Sequence, residues 1–153
     1  MDYSVIDRYI NRLIEESTPD APIWNIENIQ KGKEPAWNYI DGCMMTSLYN
    51  IYRLTGNKKY LDFVDEFIDY YVFDDGTIRG YEMSTYNVDN INEGRVLFDL
   101  YKETGKPKYK RAINLLYSQL QSQPRTETGN FWHKKIYPNQ VWLDGLYMAQ
   151  VFY

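Results

Sequence analysis

The sequence predicts an all-α fold of helical hairpins, and two observations support this prediction. Six segments place their apolar residues three and four positions apart, which is the period of an amphipathic helix. In addition, the stretch 52–60 returns at 101–109, and each copy ends one helix, turns at Thr-Gly and begins the next helix. A helix-pair unit of this length exceeds the roughly 34 residues of a tetratricopeptide repeat and fits a toroid of hairpins, in which one helix of each pair lines the centre.

Glycine and proline mark the limits of the predicted helices. Gly56 and Gly105 directly follow two of the apolar segments, as left-handed helix stops do. Three prolines and one glycine interrupt residues 19–36, and an Asp-Asp-Gly turn breaks the helical period within residues 73–88, so we expect irregular structure in both segments. The predicted helices cover residues 3–16, about 37–54 or 41–54, 57–72, about 89–103, about 107–120, and the run from 141 onward.

Composition and charge predict one globular domain over residues 1–153. Apolar residues make up 44% and charged residues 25% of the 153 residues, enough to form a sizeable core. The net charge of −4 argues against non-specific nucleic-acid binding, and no apolar run is long enough to span a membrane. The single Cys43 excludes an internal disulfide, and the N-terminus lacks the basic and apolar regions of a signal peptide. These features predict a cytoplasmic protein without nucleic-acid or membrane partners.

The closing stretch from Gly129 to Met148 carries the most chemistry. It holds the only histidine, two of the four tryptophans and a single aspartate, Asp144, in an apolar run. A helix from Val141 would bury Leu143, Leu146, Tyr147 and Phe152 and place Asp144 in its first turn. Desolvation of that carboxyl group beside Trp142 would favour its protonated form, as a proton donor requires. The competing interpretation is a helix-start aspartate that only satisfies free backbone N–H groups.

The repeat gives these aspartates a positional argument. The helices that begin near Asp41, Asp89 and Asp144 would be equivalent, and each follows a long loop that carries aromatic residues. Long loops on one face of a repeat structure are where sites are built, so the three acids would converge there. Aromatic side chains near them could stack on sugar rings, although an aromatic content of 17% also serves a helical core. We favour a sugar site around Asp89 and Asp144, and a structural role for Asp41.

No metal or cofactor site is predicted from the residue types. The chain has one histidine, His133, and one cysteine, without the clustered spacing of a metal site. Gly42, Gly94 and Gly145 do not compose a phosphate-binding motif. In isolation, a lone histidine such as His133 is more often a hydrogen-bonded structural residue than a ligand.

The segments 131–134 and 137–148 resemble the unsaturated rhamnogalacturonyl hydrolases, which are related to the unsaturated glucuronyl hydrolases. Trp37-Asn38-Tyr39 followed by an Asp-Gly pair, and the Tyr-x-x-Thr-Gly helix turns, are also similar to that family. The resemblance covers nearly the whole chain, and the closing stretch is its most specific part. It implies an (α/α)6 barrel of helical hairpins, of which this chain would supply about half, the N-terminal half.

The resemblance also implies a reaction and a set of site residues. The substrate would be a pectin or rhamnogalacturonan oligosaccharide left by a lyase, with a 4,5-unsaturated galacturonic acid at its non-reducing end. An acid protonates C4, water adds at C5, and the hemiketal opens and releases the sugar. By position, Asp144 matches the acid/base aspartate and Asp89 the second carboxylate. The positions that match substrate-contact segments are Trp37, Tyr39, His133, Lys134 and Trp142.

Two other functions stay open on the sequence. A sugar epimerase or isomerase could use the same toroid, but such enzymes rely on several histidines as proton carriers and this chain has one. A non-catalytic helical-repeat module that binds a partner would also fit the pattern. Half a toroid would expose the inner faces of its hairpins, so self-association or a second chain would be expected to cover that apolar surface.

Overall fold

A computed structural model describes residues 4–153 of the chain, and within that range it consists of helices, turns and loops. Its extended structure in this range is confined to isolated bridges, such as the one between Val72 and Ile78. The start of the first predicted helix, at residue 3, lies outside the described residues. The α-helices are α1 (Ser4–Glu15), α2 (Ile26–Gln30), α3 (Tyr39–Thr55), α4 (Lys58–Tyr71), α5 (Asp89–Asn92), α6 (Arg95–Thr104) and α7 (Pro107–Ser122). Short 3-10 turns cover Ile23–Asn25 and Met83–Thr85, and a π-helical turn covers Leu146–Gln150.

The core lies between two antiparallel hairpins, α3–α4 and α6–α7. Helix α3 packs on α4, α6 packs on α7, and α3 also contacts α5 and α6, which joins the two pairs. The apolar faces predicted for the longer helices supply this core. Its fully buried members include Met45, Leu48, Val64, Phe67, Ile68, Leu97, Leu100, Ala112, Leu116 and Leu120.

The sequence repeat corresponds to a repeated turn. Gly56 and Gly105 end α3 and α6 with φ values of 70° and 69°, and each donates its N–H to the tyrosine four residues earlier. The preceding Thr55 and Thr104 hydroxyls each bond the carbonyl four residues back, and each accepts the N–H two residues on. The helix stops that the sequence predicted at both glycines are confirmed.

Replacing Gly56 or Gly105 by Ala should lower the free energy of unfolding by about 1–2 kcal/mol, because both backbones are left-handed. A Cβ would meet no atom within 4 Å at either position, so the cost comes from the backbone alone. The two losses should be equal in denaturant unfolding, and Gly→Asn should cost less because Asn tolerates this conformation. Unequal losses would show that the two turns differ in more than sequence.

Three element predictions need correction. The segment 19–36 is not wholly irregular, because it contains a 3-10 turn and α2. The predicted helix 89–103 is split into α5 and α6 at Glu93-Gly94, where the backbone continues through the tighter bonds from Gly94 N–H to Ile91 and from Leu97 N–H to Gly94. The first helix does not bury its whole apolar face: Val5 is 64% exposed, and contact with the core begins at Ile10.

The predicted buried helix from Val141 is also wrong. The chain forms only a π-helical turn there, which buries Met148 and Ala149 and is followed by the buried Phe152. Leu143 is 85% exposed, and Leu146 and Tyr147 are exposed as well. Periodicity alone could not distinguish a stripe that faces the described core from one that faces away from it. None of the helices within residues 4–153 has the length and apolar character needed to cross a membrane.

Candidate functional site

The candidate site forms where α5 meets the loop between α7 and the closing turn. Asp89 begins α5, and its N–H bonds the side-chain oxygen of Asn87. The Asp89 carboxylate accepts a bond from Lys134 Nζ at 2.7 Å, and His133 Nε2 lies 3.3 Å from its other oxygen. Oxygen atoms of Asp89 and Asp144 and a ring nitrogen of His133 lie within 4.8 Å of one another. The structure therefore brings together the two aspartates and the histidine that the sequence singled out.

Backbone bonds hold the two loops of the site against each other. Val88 N–H donates to the carbonyl of His133 at 3.0 Å, and Lys135 N–H donates to the carbonyl of Thr85 at 3.1 Å. These bonds fix the segment before Asp89 beside the segment that carries His133 and Lys134. The ion pair between Lys134 and Asp89 thus joins two loops that are already linked by backbone hydrogen bonds.

An aromatic stack forms one wall of the site. Trp142 stacks on His133 with ring centroids 4.2 Å apart, and on Tyr137 with centroids 5.1 Å apart. Its indole N–H donates to the side-chain oxygen of Gln140, and the backbone carbonyl of Gln140 accepts the backbone N–H of His133. Trp142 is 39% exposed, but two rings already occupy much of its π surface. The ring is therefore placed to hold His133 as well as to face a ligand.

Asp144 reaches the site from an exposed position, which differs from expectation. It lies in the turn before Leu146–Gln150, and its carbonyl accepts the first bond of that turn, from Met148 N–H. Its side chain is exposed, so the predicted desolvation between Trp142 and Leu143 does not occur within the described residues. Gly145 follows it at a place where a Cβ would stand 3.3 Å from His133 Nδ1. A side chain there would press on the imidazole that faces Asp89.

Trp37 and Tyr39, which the resemblance places in substrate-contact segments, have different environments in the structure. Trp37 is 2% exposed, packs edge-on against Tyr71, and donates its indole N–H to the carbonyl of Asn90. It therefore supports α5 from the core and does not present its ring to a ligand, so we do not retain a substrate-stacking role for Trp37. Tyr39 is exposed at the first turn of α3 and remains available for contact.

Asp41 is a buried structural carboxylate, as the sequence favoured. It accepts bonds from Trp24 Nε1 at 2.8 Å and from the side-chain amide of Asn38 at 2.6 Å. Glu93 lies nearby, fully buried, and accepts the backbone N–H of Asn38 at 2.7 Å through one oxygen, while the other oxygen has no hydrogen-bond partner among the described residues. Asn38 therefore ties the start of α3 to the break between α5 and α6.

Replacing Glu93 by Gln should raise the free energy of unfolding at neutral pH by about 1–3 kcal/mol. Burial, with the nearby Asp41 charge adding to it, raises the pKa of the Glu93 carboxyl well above its ordinary value. Because the pKa of Glu93 is higher in the folded than in the unfolded chain, its contribution to the free energy of unfolding is fully present below the unfolded-state pKa. That contribution is lost as pH rises through the folded-state pKa. The advantage of Glu93→Gln should therefore grow as pH increases above about 4.5 and shrink below it.

Denaturant unfolding of the wild-type and Glu93→Gln proteins, in steps of about one unit from about pH 4 to about pH 8, measures the free energy of unfolding at each pH. Glu66→Gln removes one carboxylate from an exposed position on α4 and is the matched control. A pH slope that is the same in Glu93→Gln and in wild-type protein would contradict this assignment.

A metal ion at the cluster of Asp89, His133 and Asp144 would compete with a cation that is already present. Lys134 bonds one oxygen of Asp89 directly, which neutralises the only buried carboxylate of the three groups. The expectation of no metal cofactor stays a prediction.

Sequence reasoning missed Tyr137 and Gln140 as parts of the site. They act on Trp142 and on the backbone of His133, so nothing in their residue types marks them as chemical groups. The available signal was their place inside the closing stretch, on either side of Pro138-Asn139, where Asn139 adopts a φ of 60°.

Comparisons with known proteins identify the family of the chain. Residues 5–153 match the family described as Glycosyl Hydrolase Family 88. The chain belongs to this glycoside hydrolase family. It is 25% identical over 123 residues to the unsaturated rhamnogalacturonyl hydrolase YesR of Bacillus subtilis (strain 168), which covers 76% of this chain and 34% of that protein.

A solved structure gives the fold. A glycoside hydrolase from family 105 of C. acetobutylicum ATCC 824 is similar to this chain with a TM-score of 0.76 and 41% identity, over 93% of this chain and 37% of that one. The predicted fold class, a partial (α/α)6 toroid of helical hairpins, is confirmed. The chain spans about a third of the length of these relatives.

Proposed function

We propose that this chain carries the proton-transfer groups of a glycosidase that hydrates 4,5-unsaturated galacturonyl oligosaccharides derived from rhamnogalacturonan. The observation that carries the proposal is the approach of Asp144, Asp89 and His133 to within 4.8 Å. Its second support is the similarity to a relative whose name describes an unsaturated rhamnogalacturonyl hydrolase.

Asp144 is the proton carrier in this proposal. Its carboxyl group is exposed beside Asp89 and His133, and a sugar bound over it would exclude water. The protonated acid gives its proton to C4 of the vinyl ether. The resulting carboxylate takes a proton from water as the water oxygen bonds to C5. The hemiketal at C5 then opens to a ketone, and the hemiacetal left at C1 expels the remaining saccharide as an alcohol.

Asp89 serves as the fixed negative charge. Lys134 Nζ lies 2.7 Å from one oxygen of Asp89 and His133 Nε2 lies 3.3 Å from the other, so the carboxylate is held between two nitrogen-bearing side chains. A carboxylate there stabilises the positive charge that develops at C5 and the ring oxygen after protonation of C4. Because the ammonium of Lys134 is bonded to Asp89, we give Lys134 the role of holding that carboxylate in place. Its two other N–H bonds remain for substrate.

The test is the ultraviolet absorbance of the conjugated double bond in an unsaturated galacturonyl-rhamnose disaccharide. The 153-residue chain is assayed beside a protein in which it replaces the matching segment of the C. acetobutylicum relative, which supplies the remaining length. We expect the absorbance to disappear in at least the second protein. A folded hybrid that leaves the absorbance intact, while the intact relative removes it, would contradict the proposal.

A sugar epimerase or isomerase is not favoured by the site. The site has one imidazole, His133, which is buried and stacked on Trp142. The chain has no second histidine to carry a proton on the opposite face of a sugar. The partner-binding module has no support at the site either, since it gives no reason for two carboxylates to meet.

A further inference from the structure

A chain of buried amides runs from the core to both loops of the candidate site. Gln123, at the end of α7, is 3% exposed, and its side-chain amide donates to the carbonyls of Tyr86 and Trp132, both at 2.8 Å. Tyr86 lies three residues before Asp89, and Trp132 directly precedes His133. One NH2 group therefore bonds the backbone of both loops whose side chains meet in the site.

The orientation of this amide is fixed by the groups behind it. Gln123 Oε1 accepts a bond from Gln119 Nε2 at 3.0 Å, and Gln119 Nε2 also donates to the carbonyl of Asn87 at 3.2 Å. Gln119 Oε1 in turn accepts the hydroxyl of Tyr81 at 2.7 Å. Burial raises the pKa of Tyr81, so the phenol stays protonated and acts as the donor. Every donor in the chain points towards the site loops.

The loop that Gln123 bonds has a strained backbone at Tyr86. Tyr86 has φ 45° and ψ 42°, the left-handed region that residues with a side chain seldom adopt and that costs of order 1–3 kcal/mol. Such a conformation persists when its surroundings over-determine it. Here the Tyr86 carbonyl accepts from Gln123, and the backbone on either side bonds the opposite loop through Thr85 and Val88.

We propose that Gln123, held by Gln119 and Tyr81, is a positioning residue that sets the distance between Asp89 and the His133-Lys134 pair. It touches no reacting atom, and its effect on turnover rests on the proposed function. Buried polar networks of this kind specify one arrangement when every member is satisfied, and each side-chain polar atom of Gln119 and Gln123 is bonded. Loss of the amide would leave two partly buried carbonyls without this donor and free the loops to separate.

The test uses the fact that the chain has one histidine, so a single imidazole signal reports on the site. Asp89→Asn should move the His133 ring resonances, measured by two-dimensional NMR, because the two groups lie 3.3 Å apart. In the Gln123→Met background, which keeps the length of the side chain but removes the amide, the same change should move them by less than about half as much. An undiminished shift would overturn the proposal.

Two further variants make the measurement decisive. Gln121→Met changes an exposed glutamine of α7 in the same way and should leave the Asp89-dependent shift at its wild-type size. If Gln123→Met does not fold, Tyr81→Phe deletes only the hydroxyl at the far end of the chain, and it should reduce the same shift by a smaller amount. No reduction in a folded Tyr81→Phe protein would contradict the proposal.

Turnover separates this proposal from the proposed function. In a protein that hydrates the unsaturated disaccharide, Gln123→Met should lower kcat by about 10- to 100-fold with a smaller change in KM, because misplaced groups lose rate before they lose binding. If no protein containing this chain turns over the substrate, the proposed function fails, yet the NMR result still decides whether Gln123 positions the pair.

Discussion

Asp144→Asn should lower kcat on an unsaturated galacturonyl disaccharide by about 10³-fold or more, because the amide cannot give a proton to C4 and take one from water. The fold should be retained, since the Asp144 side chain is exposed and accepts no bond that supports another element within the described residues. The contact that its backbone makes to Met148 does not depend on the side chain. Binding of the substrate should change little, so the loss should appear in kcat rather than in KM.

Steady-state kinetics in the turnover-competent hybrid, with circular dichroism of each protein, checks this result. Asp74→Asn is the matched control, because it removes an exposed carboxylate from a turn outside the site. Equal and modest losses in Asp144→Asn and Asp74→Asn would remove Asp144 from the mechanism and return it to a structural role.

Asp89→Asn is expected to have the second largest effect, a loss of about 10²- to 10³-fold in kcat. The amide lacks the negative charge that stabilises the sugar cation, and Lys134 loses its bonded carboxylate partner at 2.7 Å. Asp89 is largely buried, so this variant should also lose stability, by about 1–3 kcal/mol, as Lys134 is left without its pair.

The matched control for Asp89→Asn separates lost charge from a lost ion pair. Asp69 on α4 pairs with Lys106, directly before α7, and with Lys108 on α7, away from the candidate site. Asp69→Asn should cost stability without lowering kcat. If the two variants reduce kcat to the same degree, the effect of Asp89 is one of folding and not of chemistry.

The parts of the fold that the sequence predicted well are those set by local chemistry. Each Thr-Gly turn is specified by a threonine that bonds back into its helix and a glycine that accepts positive φ, and both are readable from residue types. The inward faces of α4 and α7 follow the helical period because one face of each helix packs against the same core.

The closing stretch failed for the opposite reason. Leu143 and Leu146 have the spacing of a buried helix, but burial depends on what lies opposite, and the described residues provide no partner for that face. The exposure of Asp144 follows from the same fact. A pattern in one segment cannot report the surface against which it packs.

For the site, the sequence singled out residue types that carry chemistry but not those that hold them. Asp89, His133, Lys134 and Asp144 do come together. Trp37 was misjudged, because residue type does not separate an indole in the core from an indole in a sugar site. Its burial and its bond to Asn90 do. Gln123 could not be found from sequence, since its role consists of two bonds to distant backbone carbonyls.

The central claim is that one protein acid, Asp144, delivers the proton to C4 from one face of the sugar. Running the reaction in D2O and recording the product by NMR at early times tests it directly. The account predicts deuterium in a single one of the two C4 positions with wild-type protein, and no labelled product with Asp144→Asn. Deuterium distributed equally over both positions from the first turnovers, or undiminished labelling with Asp144→Asn, would contradict it.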